Sequence, residues 1–227
     1  MAERASRQAA PDVPGPAGNA KVTRQDWLKI AMDLLISDGV SEVKVLTIGQ
    51  RLKVSRSSFY WYFRSHSDLL DHLLAEWERT NTGIMVHHCE MEAPTITAAV
   101  CNFFRCIVDP AGFDHQLDFA VREWSRRDDA VRGVVDRSDR MRRDALARMF
   151  ERHGYDPAEA DVRARVLYFQ QIGYHALELA ETLEERLALV EGYLLVFTGK
   201  RPNAAEVAEF KVFAHRLLGD GGGAETL

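Results

Sequence analysis

Residues 47–70 read TIGQRLKVSRSSFYWYFRSHSDLL, and their spacing decides how this chain is built. A short helix is expected from about Thr47 to Leu52, with Ile48 and Leu52 inward. A second opens on Ser55 and runs through Phe59, Tyr60 and Phe63. Two short helices joined by a tight turn form a helix-turn-helix. Thr47 can cap the first helix, leaving backbone N–H groups for a phosphate, while Ile48, Leu52 and Val54 pack the pair. Ser55 caps the second, so Arg56, Ser57 and Ser58 fall in the turn that a recognition helix presents to base edges. Arg56 can take a guanine bidentately, and Ser57 is small enough for close approach. Tyr60, Trp61 and Tyr62 offer hydroxyls and rings to backbone and thymine methyl, and Lys53 and Arg64 bracket the helix as phosphate clamps.

On the N-terminal side, Thr23 with Asp26 has the form of a capping box. Trp27, Ile30, Ala31, Leu34 and Leu35 make one stripe, and Gly39 ends it. On the C-terminal side, a long helix is expected from Ser67 to about Glu92, on Leu69, Leu70, Leu73, Leu74, Trp77, Ile84 and Met85. Pro94 suits the first turn of the next helix, whose stripe runs from Ile96 to Val108 and which Pro110-Ala111-Gly112 breaks. Further helices are expected over 113–127, 128–152, Pro157 to about Ala180, 184–198 and 204–218. In 128–152, Val131, Val134, Val135, Met141, Ala145 and Met149 mark the inward face. The pairs Asp128–Arg132, Asp136–Arg140, Asp139–Arg143 and Asp144–Arg148 mark the outer one, a solvated charged face. No segment alternates as a strand would. The expectation is an all-α chain: a flexible arm (1–20), a three-helix helix-turn-helix domain (21–66), a larger helical ligand-binding and dimerisation domain (67–218) and a flexible tail (219–227).

Composition agrees with a globular chain. Of 227 residues, 46% are hydrophobic and 28% charged, which excludes a fibre or a wholly disordered chain. No apolar run approaches the ~18 residues of a membrane span. The start, MAERASRQAAPDVPGPAGNA, has no apolar core of a signal peptide, and three cysteines with no Cys-x-x-Cys suit a reducing cytoplasm. The net charge of −5 divides unevenly: residues 1–66 carry ten basic and six acidic side chains, a net of +4, and the rest a net of −9. A basic end on an acidic body is the footprint of a chain that meets a polyanion at one end.

Gly39, Thr47, Val54-Ser55, the aromatic run Phe59-Tyr60-Trp61-Tyr62-Phe63 and Leu69-Leu70 stand in the order of the DNA-binding domain of TetR-type transcriptional regulators, which residues 23–75 resemble. Two positions depart from that pattern. Lys53 replaces the usual turn glycine, which places a side chain near the left-handed region at a cost of about 1 kcal/mol. His66 stands where a lysine often opens the fourth helix, so DNA affinity is expected to rise as pH falls.

The resemblance implies a homodimer bound to a palindromic double-stranded DNA operator, its reading heads ~34–36 Å apart. It implies a repressor released by a small-molecule effector, unidentified from sequence. For a dimer interface the candidates are Val162, Val166, Phe169, Gly173, Ala176, Leu194, Phe197 and Phe210. For a ligand pocket they are Phe103, Phe104, Phe119, Trp124, Tyr168, Gln171 and Tyr174: apolar and aromatic walls with a few polar groups. No cofactor, metal or membrane is called for. None of the eight histidines follows a glutamate by three residues, as a di-iron bundle requires, and no Gly-x-Ser-x-Gly elbow or phosphate loop occurs, so an enzyme is not expected. His87-His88-Cys89 are read as surface or helix-end residues rather than metal ligands. The alternative function is a helical interaction adaptor with a degenerate helix-turn-helix.

Overall fold

A computed structural model describes residues 22–109 and 111–219. The expected arm over 1–20, Pro110 and the tail beyond Gly219 lie outside them. Helix α1 (Arg24–Asp38) begins as the sequence requires: the Thr23 hydroxyl accepts from the Asp26 N–H, and the Asp26 carboxylate accepts from the Thr23 N–H at 2.7 Å. Gly39, at φ 80°, closes it. A 3-10 turn (Val40–Glu42) leads to α2 (Val45–Leu52) and α3 (Arg56–Phe59). Then come α4 (His66–Trp77), a π-helical segment (Glu78–Gly83) and α5 (Ile84–Glu90). The remaining helices are α6 (Ile96–Val108), α7 (His115–Ser125), α8 (Asp129–Arg152), α9 (Pro157–Ala176), α10 (Leu183–Thr198) and α11 (Ala204–Gly219). The described residues are all-α, a helix-turn-helix followed by a larger helical region.

Several boundaries differ from expectation for local reasons. Helix α2 starts at Val45 with Lys44 as N-cap, so Thr47 lies inside its first turn and caps nothing. Val45, Ile48 and Leu52 share an inward face and fix that start without a capping hydroxyl. Helix α3 is a single α-turn closed by Tyr60, not a helix reaching Phe63. The long helix expected from Ser67 begins at His66 under a Ser65 cap and is interrupted by the π-helical segment. Pro94 precedes α6, because the Thr95 hydroxyl takes the Ala98 N–H and sets the N-cap. Helix α9 stops at Ala176; Glu178 beyond it has φ 48°.

Among the described residues, none of the four expected acid–base pairs of α8 forms. Asp128 is instead the N-cap, accepting from the Ala130 and Val131 N–H groups. Arg132 lies 3.6 Å from Asp136, and Asp139 is taken by Arg122 of α7 at 2.7 Å. Met141, read as inward, is exposed; Ser138 and Arg142 are buried on that face instead.

The buried side chains fall into two clusters. One joins the helix-turn-helix to α4: Trp27, Leu34, Ile48, Phe59, Phe63, Leu69 and Trp77 pack with Leu117 and Val121 of α7 and with Val131 and Val135 of α8. The other takes Met85 and Cys89 of α5, the faces of α6, α9, α10 and α11, and α8 from Ala145 onward. The π-helical segment lies between Trp77 of the first and Met85 of the second. Three of its polar side chains reach neighbouring elements. Glu78 accepts from Ser138 at 3.1 Å, Asn81 donates to the Asp114 carbonyl at 2.7 Å, and Thr82 accepts from Arg142 at 3.0 Å.

Candidate nucleic-acid interface

Helix α3 sits on a wholly buried aromatic floor. Phe59 meets Trp27 edge-on at 5.3 Å and stacks on Phe63 at 5.3 Å, which fixes the outward side of the same short segment. Gly49 makes the approach of α2 possible: a Cβ there would lie 3.3 Å from the Val54 carbonyl and 3.6 Å from the Trp27 ring. Lys53 adopts φ 56°, ψ 39°, the left-handed conformation expected from its replacement of glycine.

On the outward side, Arg56, Ser57, Tyr60 and Trp61 are exposed, Trp61 by 77% and Tyr60 by 53%. Arg56 donates to the Tyr60 hydroxyl at 3.4 Å, a reach that holds the guanidinium along the helix. Ser55 occupies the N-cap position, but its hydroxyl pairs with that of Ser57 at 2.8 Å instead of capping. Ser58 donates to the Ser55 carbonyl at 2.8 Å. Lys53 and Arg64 are exposed on either side of α3.

Three expected contacts are placed otherwise. Tyr62 is half-buried and its hydroxyl donates to the Val22 carbonyl at 2.6 Å, which ties the segment ahead of α1 to the helix-turn-helix. His66 commits Nε2 to the Val43 carbonyl at 2.6 Å and acts as a strut between α4 and the α1–α2 connection. Thr47 is half-buried in α2. Leu46, exposed beside the uncapped start of α2, was not singled out; its place one residue ahead of Thr47 was the only signal.

The ligand-pocket candidates go to four places. Phe104, Gln171 and Tyr174 line an apolar hollow of about 600 Å³, open mouth included, between α6, α9, α10 and α11. Arg186, Leu187, Val190, Tyr193, Phe197 and Phe210 share its wall with Glu181 and others. Phe119 and Trp124 instead line an open cleft between the end of α1 and α7. Phe103 is closed core, and Tyr168 belongs to a buried ionic network. In that network Asp118 takes Arg142 at 2.9 Å, Arg122 at 2.8 Å and the Trp77 indole at 3.0 Å, and Tyr168 donates to Asp139 at 2.7 Å. Burial works to raise the Asp118 carboxyl, but Arg142 and Arg122 overcome it and hold it below the usual carboxylate range. Burial pushes the Tyr168 hydroxyl up to about 12.

Of the dimer candidates, Val162, Val166, Phe169 and Ala176 are exposed along α9, with Gly173 half-buried between them. Leu194, Phe197 and Phe210 are buried in the protomer's own core, where they serve α10 and α11 packing and not an outer face. His87, His88 and Cys89 fall in the last turn of α5, a helix-end placement, with Cys89 fully buried and His88 half-buried with Nδ1 against the Asn102 carbonyl. No helix among the described residues is long and apolar enough to cross a membrane.

Residues 28–73 match the sequence profile of bacterial regulatory proteins of the tetR family. This helix-turn-helix is a TetR-family DNA-binding domain. A stretch of 74 residues is 32% identical to the HTH-type transcriptional regulator AcrR of Shigella flexneri, covering 33% of each chain. The match thus spans about a third of that relative's length. Beyond the TetR-type domain the likeness is one of fold. Mycobacterium smegmatis AmtR aligns over 91% of this chain and 98% of its own at a TM-score of 0.55 and 18% identity. Salmonella enterica GusR aligns over 86% and 95% at a TM-score of 0.53 and 15% identity.

Proposed function

We propose that this chain is a homodimeric, sequence-specific DNA-binding transcriptional regulator, a repressor released from a palindromic operator by a small molecule seated in the α6–α9–α10–α11 hollow. The carrying observation is the exposed Arg56–Tyr60–Trp61 edge of α3, held outward by the buried Trp27–Phe59–Phe63 floor. Residues 21–66 form the reading unit, with Ser55, Arg56, Ser57, Ser58 and Tyr60 toward bases and Lys53, Arg64 and Trp61 toward backbone. Residues 67–218 form the effector and dimer unit. The exposed Val162–Val166–Phe169 stripe supports a second copy of the chain as the partner of α9. The hollow is mainly apolar with few polar groups, the kind of lining that suits a small organic ligand.

The decisive experiment is a mobility shift on the DNA flanking the protein's own gene. Specific binding should weaken by about 0.9 log units per log unit of salt for each phosphate contact. Arg56→Ala should cost about 1–3 kcal/mol on the specific site and less on random DNA. A helical adaptor would shift no DNA under any condition.

A further inference from the structure

Three arginines of α6 and α9 are paired. Arg163 holds Glu159 at 2.7 Å and donates to the Phe197 carbonyl, Arg165 holds Asp161 at 2.8 Å, and Arg105 holds Glu209 at 2.6 Å. Arg186 differs. It lines the apolar hollow, its guanidinium lies 5.0 Å from the Tyr174 ring centroid, and among the described residues no carboxylate stands within 4 Å of it. The one carboxylate in that wall, Glu181, accepts the Tyr174 hydroxyl at 2.5 Å. Among the described residues, Arg186 is the one cation lining the hollow. Its flat fork of N–H donors, steadied against an aromatic face beside a greasy wall, matches a carboxylate bidentately.

We infer that the hollow binds an apolar-bodied carboxylate, its head group on Arg186 and its hydrocarbon body against Phe104, Leu187 and Phe210. The inference rests on reading the hollow as the effector site and adds the chemical class of the effector. A neutral ligand of the same body would leave the guanidinium without a charged partner, and an ammonium would be repelled by it.

The test is calorimetric titration of the full chain with octanoate, octan-1-ol and octylammonium. Octanoate should bind at least about tenfold more tightly than octan-1-ol, since a charge-assisted pair is stronger than a neutral hydrogen bond. Octylammonium should bind more weakly than either. Arg186→Gln should bring octanoate down to the octan-1-ol level without changing octan-1-ol itself, and Arg186→Lys should restore part of the preference. Equal affinities, or a preference for octylammonium, overturn the carboxylate assignment while leaving the hollow as a binding site. Absence of binding by all three overturns the assignment and the effector role of the hollow together. The wild-type comparison decides the matter even where an Arg186 variant folds poorly, and the DNA shift reports separately on the regulatory reading.

Discussion

Arg142 and Asp118 meet at 2.9 Å with neither side chain open to solvent. The arginine also donates to Thr82 of the π-helical segment and stacks over Trp77 of α4, and the aspartate belongs to α7. One ion pair thus joins three helices that meet between the two cores. Arg142→Met leaves a buried carboxylate short of a partner and should cost about 3–5 kcal/mol in urea melts. Asp118→Asn should cost a comparable amount, and the double variant should cost clearly less than the two single losses added together.

Lys53 bears strain that glycine would not. A left-handed conformation costs a side-chain-bearing residue roughly 1–2 kcal/mol, partly offset by the greater backbone entropy that glycine loses. Lys53→Gly should therefore raise stability by about 0.5–1 kcal/mol in thermal or urea melts. It should also lower the salt slope of DNA binding by about 0.9, the mark of one phosphate contact removed. A variant that is both stabilised and unaltered in salt slope would place Lys53 off the DNA.

His175 supplies a pH dependence with a definite sign. Burial, then the neighbouring His115 ring stacked at 4.8 Å, lowers its pKa to about 4. Its Nε2 lies 2.7 Å from the Gln171 amide nitrogen, which donates to it in the neutral form. Between the unfolded value near 6.5 and about 4, the unfolded chain binds a proton that the folded chain refuses. Stability should therefore fall as pH drops through that window, and His175→Gln should flatten the profile there. A melt series from pH 7.5 to 4.5 on both proteins measures it.

Val166 and Phe169 lie a turn apart on the exposed face of α9. A glutamate at either would meet its own symmetry mate or a buried apolar surface in a dimer, and nothing but water in a monomer. Val166→Glu and Phe169→Glu should give monomers by light scattering and lose specific DNA binding, with melting of the isolated protomer little changed.

Much of this was legible in the residues. Thr23 with Asp26, Gly39 and the left-handed Lys53 all follow from local chemistry that tertiary packing left alone. Thr47 misled because a hydroxyl near a helix start looks like a cap, whereas the Val45–Ile48–Leu52 spacing set the boundary. Apolar periodicity shows that a helix has a buried face, not whether a neighbour in the same chain or a second copy covers it. Hence Leu194, Phe197 and Phe210 were grouped with Val162, Val166 and Phe169, though the first three are internal. Arg142 was missed because a charge on an inward stripe reads as a break in the stripe; only its partner on another helix, Asp118, explains it.

The wide turn at Glu78–Gly83 has a mechanical corollary. Neighbouring residues of an α-helix lie about 100° apart around its axis, so a rod that gains or sheds one residue of winding there swivels its two ends by about that angle. The end bearing His66–Trp77 is packed into the helix-turn-helix cluster and the end bearing Ile84–Glu90 into the cluster of α6, α9, α10 and α11. Such a shaft can deliver torque as well as tilt, and the grips of Ser138, Asp114 and Arg142 on its midpoint are where that rotation would be engaged or released.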